Sequence, residues 1–254
     1  AFSNSSLNSN NSAAASTLNI NSYQVGVYGD TFVRSDLQVN YQADAGLNSN
    51  KETRNLSSFT GVSGVAANST SGVSANANYN SLSAHLGAGL KKFVSLSENT
   101  SFIPTLRADY TSVQSQGYTE SGAGSLNLKV NSQTYNMLVT SADFRVDQVL
   151  VNQLKLSANV GLGYNLLNNQ VQAVSTYQGG GPAFTTNGLQ VSPWLYNAGL
   201  GLSGRITKEV ELNVRYDTQF STTGYNNQMV SGKIKFFYWS ASDRLSNPYA
   251  ELFF

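Results

Sequence analysis

From Leu154 to Asn165 the chain alternates without a break: Leu154, Leu156, Ala158, Val160, Leu162 and Tyr164 are separated one by one by Lys155, Ser157, Asn159, Gly161, Gly163 and Asn165. Successive side chains of an extended strand point to opposite faces, so this stretch makes one strand with an apolar face and a face of small or polar groups. The design recurs. Phe102, Pro104, Leu106, Ala108 and Tyr110 alternate with Ile103, Thr105, Arg107, Asp109 and Thr111, and Trp194, Tyr196, Ala198, Leu200 and Leu202 with Asn197, Gly199, Gly201 and Ser203. Further strands carry Tyr23, Val25 and Val27; Leu37, Val39, Tyr41, Ala43 and Ala45; Leu82, Ala84, Leu86, Ala88 and Leu90; Leu138, Thr140, Ala142, Phe144 and Val146; Val210, Leu212, Val214 and Tyr216; and Val230, Gly232, Ile234, Phe236 and Tyr238. Nine strands are evident, each long enough for the roughly 9–11 tilted residues that cross a bilayer.

Period two alone also describes a soluble β-sandwich. The long strands, two further features and the scarcity of charge favour an all-β, antiparallel transmembrane barrel. Connections alternate between short (34–36, 96–99, 149–153, 207–209) and long, Gly-, Ser- and Asn-rich ones (4–16, 49–76, 116–132, 168–192), matching short periplasmic turns and long outer loops. Phe102, Tyr110, Tyr164, Trp194, Tyr216 and Tyr238 sit near strand ends, where interfacial aromatic girdles lie. Charge is scarce, 11% of the chain against roughly a quarter in an average soluble domain. It is also confined: Arg107, Asp109, Asp143, Arg145, Lys155, Arg205, Arg215 and Asp217, with Lys233 and Lys235, all fall on the small or polar face. In a barrel whose apolar face meets lipid, these residues line the lumen, where they pair with one another and stiffen the wall or line a pore.

Other function classes find little material. There is no cysteine and one histidine, His85, so no disulfide framework, metal site or cofactor is expected. A net charge of +1 gives no basic field for nucleic acid. His85 shares a strand face with Ser81 and Ser83, but nothing singles out the orienting third group that a catalytic triad needs, and no enzyme is expected. Gly87-Ala88-Gly89 and Gly199-Leu200-Gly201 open no helix after a strand, as a phosphate loop would. They read as lumen-facing positions that leave room in a pore or relieve strain where strands curve. No apolar run is long enough for a transmembrane helix.

Several segments resemble the autotransporter β-domain, the translocator that ends type V secretion proteins. They are Tyr23-Gln24-Val25-Gly26-Val27-Tyr28-Gly29-Asp30, the strand from Phe102 to Tyr110 followed by Gly117-Tyr118-Thr119-Glu120-Ser121-Gly122-Ala123-Gly124, and Gly179-Gly180-Gly181-Pro182-Ala183-Phe184-Thr185 ahead of Ala198-Gly199-Leu200-Gly201-Leu202 and Tyr216-Asp217. The resemblance covers about residues 1–238 and leaves 239–254 as an extension of uncertain role. It implies a twelve-stranded barrel with a pore helix, of which this chain begins within the third strand, inside a larger precursor. Such a piece is expected to close only with the missing strands, with a partner chain, or incompletely. The resemblance also implies outer-membrane lipid, the barrel-insertion machinery and an upstream passenger of the same protein as partners. It makes Val230, Gly232, Ile234, Phe236 and Tyr238 the candidate insertion signal. The rival expectations are a stand-alone outer-membrane porin or adhesin barrel, and a soluble surface β-sandwich.

Overall fold

The computed structural model describes residues 1–9, 14–56, 73–150, 154–188, 190, 192–207, 209–223 and 226–237. Its wall is one antiparallel sheet that follows chain order: β1 (Phe2–Ser9), β2 (Ala14–Arg34), β3 (Leu37–Leu56), β4 (Val73–Lys92), then β6 (Thr100–Ser115), which the two-residue β5 (Val94–Ser95) flanks. It continues through β9 (Gln133–Val149), β10 (Lys155–Asn165), β13 (Trp194–Arg205), β14 (Val210–Ser221) and β15 (Asn226–Phe236). A second, four-stranded sheet lies in the two long connections, in the order β12 (Phe184–Asn187), β11 (Gln172–Tyr177), β8 (Leu128–Val130), β7 (Tyr118–Thr119).

The wall is a curled half-barrel with β1 and β15 at its two edges. It holds ten long strands, one more than the periodicity reveals. The extra one is β1, which opens where the resemblance places the chain within a strand and runs on into the stretch 4–16 that reads as a long connection. Its two large apolar residues, Phe2 and Leu7, fall on opposite faces, so it has no period of its own, and it is held by pairing along β2 from Phe2↔Tyr23 to Ser9↔Ser16. The connection at 49–76 is likewise shorter than expected, because β3 runs on to Leu56 and β4 begins at Val73.

Those extensions reverse the alternation. In β3 the outward row is Leu37, Val39, Tyr41, Ala43, Ala45 and Leu47, then Ser49, Lys51, Thr53 and Asn55. In β4 it is Leu90, Ala88, Leu86, Ala84 and Leu82, then Asn80, Asn78, Asn76 and Ser74. The switch falls at the same height on three strands, since Tyr23, Leu47 and Leu82 are register partners, as are the next outward residues Asn21, Ser49 and Asn80. Below it the outward face is apolar and the inward face polar. Above it the outward face is polar and the inward row of β4 becomes Tyr79, Ala77, Ala75 and Val73. A face in lipid must be apolar and a face in water need not be, so the switch marks the upper border of the lipid band. Eleven residues, Leu37–Leu47 and Leu82–Lys92, separate it from the short-turn end, the length a tilted spanning strand requires.

The convex face is apolar and open, with Leu86 at 60%, Val160 at 60% and Leu200 at 59% exposure. Aromatic pairs collect at both ends of the wall. Phe102 and Phe144 stack at 6.1 Å near the short turns; Tyr164 and Trp194 meet edge to face at 4.7 Å near the long loops, where Tyr196 and Phe220 stack at 5.5 Å.

Candidate functional site

The concave face is a ladder of polar rungs. Three times the sequence places an arginine two residues before an aspartate on this face. Arg107 donates from Nε to Asp109 at 2.8–2.9 Å, Arg145 to Asp147 at 2.6 Å, and Arg215 to Asp217 at 2.7–2.9 Å. Each arginine also reaches another strand. Arg107 Nη1 donates to Asn40 on β3 at 2.5 Å, Arg145 Nη2 to Ser157 at 3.0 Å, and Arg215 Nη2 to Asn159 on β10. Lys155 lies 3.2 Å from Asp147. Asn197 on β13 donates to Asp143 on β9 at 2.7 Å. Arg205, at the strand end, lies 4.9 Å above the Phe237 ring.

Three of these bonds jump a strand, and each passes over glycine. A Cβ on Gly89 would come 2.9 Å from Asn40 Oδ1, and one on Gly87 would run into the Arg107–Asp109 pair. A Cβ on Gly161 would strike Asp143 and lie 2.5 Å from Asn197 Oδ1; one on Gly199 would strike Asp217 and lie 2.6 Å from Asn159 Oδ1. The concave curvature draws side chains of next-nearest strands together, and the glycines leave the path between them open. The Gly-x-Gly pairs therefore leave room, but a neighbouring strand's polar side chains fill it.

His85 makes the remaining rung. Its Nδ1 is 2.8 Å from Asp44 on β3 and its Nε2 3.0 Å from Asp109 on β6. Gln24 and Gln42 also donate to Asp44, at 2.5 and 2.9 Å. Carboxylates thus occupy both ring nitrogens. Sequence reasoning placed His85 on this face but missed Asp44, Asn40, Asn159 and Asn197, although the repeated Arg-x-Asp facing Gly-x-Gly was a readable signal. Beside His85 and Asp109 the concave face holds a groove of about 470 Å3, lined also by Thr111, Val139 and Asn197. Among the described residues no cluster of three His, Cys, Asp or Glu could hold a metal ion.

On β15, Val230, Gly232, Ile234 and Phe236 share the outward row through their partners Tyr216, Val214, Leu212 and Val210. Lys233 and Lys235 face inward opposite Asn213 and Glu211. Tyr238 and residues 239–254 lie outside the described residues.

Above the lipid border the inward face is covered by the connection 116–132. Asn76 and Ser121 exchange both backbone hydrogen bonds, at 2.8 and 2.9 Å. Leu56, Ala75 and Ala123 form a small buried cluster with Val73 and Leu126 against it. Arg54 donates to Glu120 through Nε at 2.9 Å and Nη2 at 2.6 Å, and this side-chain bond holds Arg54 above the usual range for an arginine. Tyr118 stacks on Tyr79 at 4.2 Å and donates to Glu52 at 3.0 Å. Burial first, then the Glu52 charge, pushes Tyr79 up to about 12 and Tyr118 higher still.

A curved antiparallel wall, apolar outside and polar inside, with aromatic ends and a lipid border marked in register, defines a transmembrane β-barrel protein of the bacterial outer membrane. The chain belongs to the autotransporter β-domain family, whose model matches residues 1–217; the family is not one of enzymes. The structure is similar to the translocator domain of the autotransporter NalP from Neisseria meningitidis, at 20% identity over 92% of this chain and 72% of that one, with a TM-score of 0.64. It is also similar to the Ralstonia pickettii toluene transporter TbuX, at 14% identity over 89% of this chain and 61% of that one, with a TM-score of 0.54. No curated protein matches the sequence.

Proposed function

We propose that this domain anchors in the outer membrane and enables an upstream passenger of the same protein to reach the cell surface. The family match over residues 1–217 carries the reading. The two-faced wall supports it, because the convex face is predominantly apolar while the concave face carries polar groups paired with one another. The lumen-lining set is Arg107, Asp109, Asp143, Arg145, Lys155, Arg205, Arg215 and Asp217. Mutual pairing is its first task, since an unpaired charge at this depth is costly, and a paired wall presents a passenger with few strong binding sites. We take the domain to run through 1–238, with Val230, Gly232, Ile234, Phe236 and Tyr238 as the strand read by the barrel-insertion machinery.

The test is an epitope placed upstream of residue 1 in the full-length protein and detected on intact cells. Surface signal that depends on residues 1–238 supports export. A barrel that assembles while the epitope stays inside the cell points to a stand-alone porin or adhesin instead.

A further inference from the structure

We propose that residues 116–132, with the hairpin 172–187 they carry, form a lid closed over the outward continuation of the barrel's inner face and fastened by one charge pair, Arg54 to Glu120. The inference goes beyond passenger export and does not depend on it.

Above the lipid border the inner row of β4 turns apolar at Tyr79, Ala77, Ala75 and Val73. Such a row would face water unless something covered it, and the connection from β6 to β9 crosses to it. Glu120 is the centre of the fastening. Its side chain is 3% exposed and takes both Arg54 bonds and the Leu128 backbone N–H at 2.7 Å, while Arg54 also donates to the Leu126 carbonyl at 3.0 Å. A buried charge pair of this kind acts in an all-or-none manner, because losing one partner leaves the other charged and desolvated.

The rest of the lid hangs on that anchor. Gln178 and Gly179 donate their backbone N–H groups to Asn127 and Ser125, at 2.9 and 3.0 Å, and β11 pairs with β8. Besides that pair, among the described residues the lid meets the wall through Ala123 against Leu56 and Ala75, the bridge of Ser121 to Asn76, the Gln116 N–H on the Asn80 carbonyl at 3.0 Å, and Tyr118, which stacks on Tyr79 and donates to Glu52. Gly122 and Gly124, at φ 101° and 57°, flank Ala123 where the strap turns. These are backbone conformations in which glycine is unstrained, and they suit a hinge.

Two reporters are built in. Lys129 is the only Lys or Arg between Arg107 and Arg145, and it sits in β8, paired on both sides by β7 and β11. Trypsin must open this sheet to cut there. Ala75 lies in the cluster with Ala123, and residues 1–254 hold no cysteine, so labelling of A75C above the background of the same protein without the substitution reports whether the inner face is covered. In the full-length protein on intact cells, E120Q and R54Q are expected to speed cleavage after Lys129 at least ten-fold. A75C/E120Q is expected to react with a membrane-impermeant maleimide at least ten-fold faster than A75C.

Asn76 and Ser121 are a hydrogen-bonded pair about 5.5 Å apart at Cα, within reach of a disulfide. Oxidised N76C/S121C in the E120Q background should return cleavage to the wild-type rate, and reduction should release it again. That reversal also shows that E120Q leaves the barrel folded. Unchanged rates in both E120Q and R54Q overturn the lid. So does faster cleavage without faster Ala75→Cys labelling, or a disulfide that fails to slow the cut.

Discussion

Arg215 donates to Asn159 across the full width of β13, so that β14 and β10, which do not pair, are joined over Gly199. The bond exists because position 199 has no Cβ. It links a local sequence choice to the radius of the wall.

Two glycines on the same face of β13 separate this effect from general glycine behaviour. A Cβ at 199 would meet Asp217, Asn159 and Arg215, whereas at 201 its nearest neighbour is Arg215 Cγ at 3.6 Å, an ordinary contact. Gly199→Ala is expected to destabilise the folded barrel by about 1–3 kcal/mol through overpacking. Gly201→Ala should be neutral or stabilise by up to about 1 kcal/mol, through the reduced freedom of the unfolded chain. Urea unfolding of the full-length protein in lipid vesicles measures both. Equal losses would show that the rungs do not depend on the seat.

The rung itself can be apportioned. Arg215 and Asp217 are about a quarter exposed, at 24% and 29%, so the pair is partly screened. Arg215→Ala and Asn159→Ala are each expected to cost about 1–2 kcal/mol, and the double variant less than their sum, with a coupling of about 0.5–1.5 kcal/mol. A cycle that closes at zero would mean that the bond adds nothing measurable.

What the sequence discloses divides along the lipid border. Where one face meets lipid, selection acts on every second residue, and Leu154 to Tyr164 can be read without a structure. Beyond the border that constraint lapses: β1 has no period, and 49–76 reads as a loop although β3 and β4 extend into it. The reversal at Leu47 to Ser49 and Leu82 to Asn80 was present in the letters, but only the register shows that it lies at one height. Parity places the polar residues of the wall on one face. It does not give their partners, because Arg215 and Asn159, or Arg54 and Glu120, are joined by curvature and by loop path rather than by spacing.

The stacked tyrosines make the outer lobe sensitive to alkali. Burial and the Glu52 charge raise both hydroxyls, Tyr79 to about 12 and Tyr118 further, above the unfolded value of roughly 10. A raised folded pKa means that the folded lobe holds its protons more tightly than the unfolded chain. Its contribution is therefore complete below about pH 10 and is lost as pH rises through about 12. Trypsin cleavage after Lys129, divided at each pH by the rate on a short unstructured lysine peptide, should be independent of pH from 7 to 9.5 and accelerate above 10. In Tyr118→Phe the alkaline rise should shrink, since one of the two titrating groups is gone. A rise that begins below pH 9 would point to another group.

The sharpest check on the whole reading is to place one charge on each face. Ala158 lies on the convex row of β10 between Leu156 and Val160, and Ala158→Arg puts a guanidinium against lipid, at a cost of about 2–4 kcal/mol near the midplane. The neighbouring Asn159 looks like the natural control by period alone. The structure removes it, because Asn159 is the acceptor for Arg215, and an arginine there would both lose that bond and face a like charge. Thr111 is the better choice: it sits on the concave face opposite His85, lines the open groove, and has Asp109 on the same row. Thr111→Arg should assemble at near the wild-type level, and Ala158→Arg should leave most of the protein unassembled, as read by the heat-dependent gel shift of the folded barrel. If the two variants assemble equally well, the convex face does not meet lipid, and the membrane border drawn at Leu47 and Leu82 loses its basis.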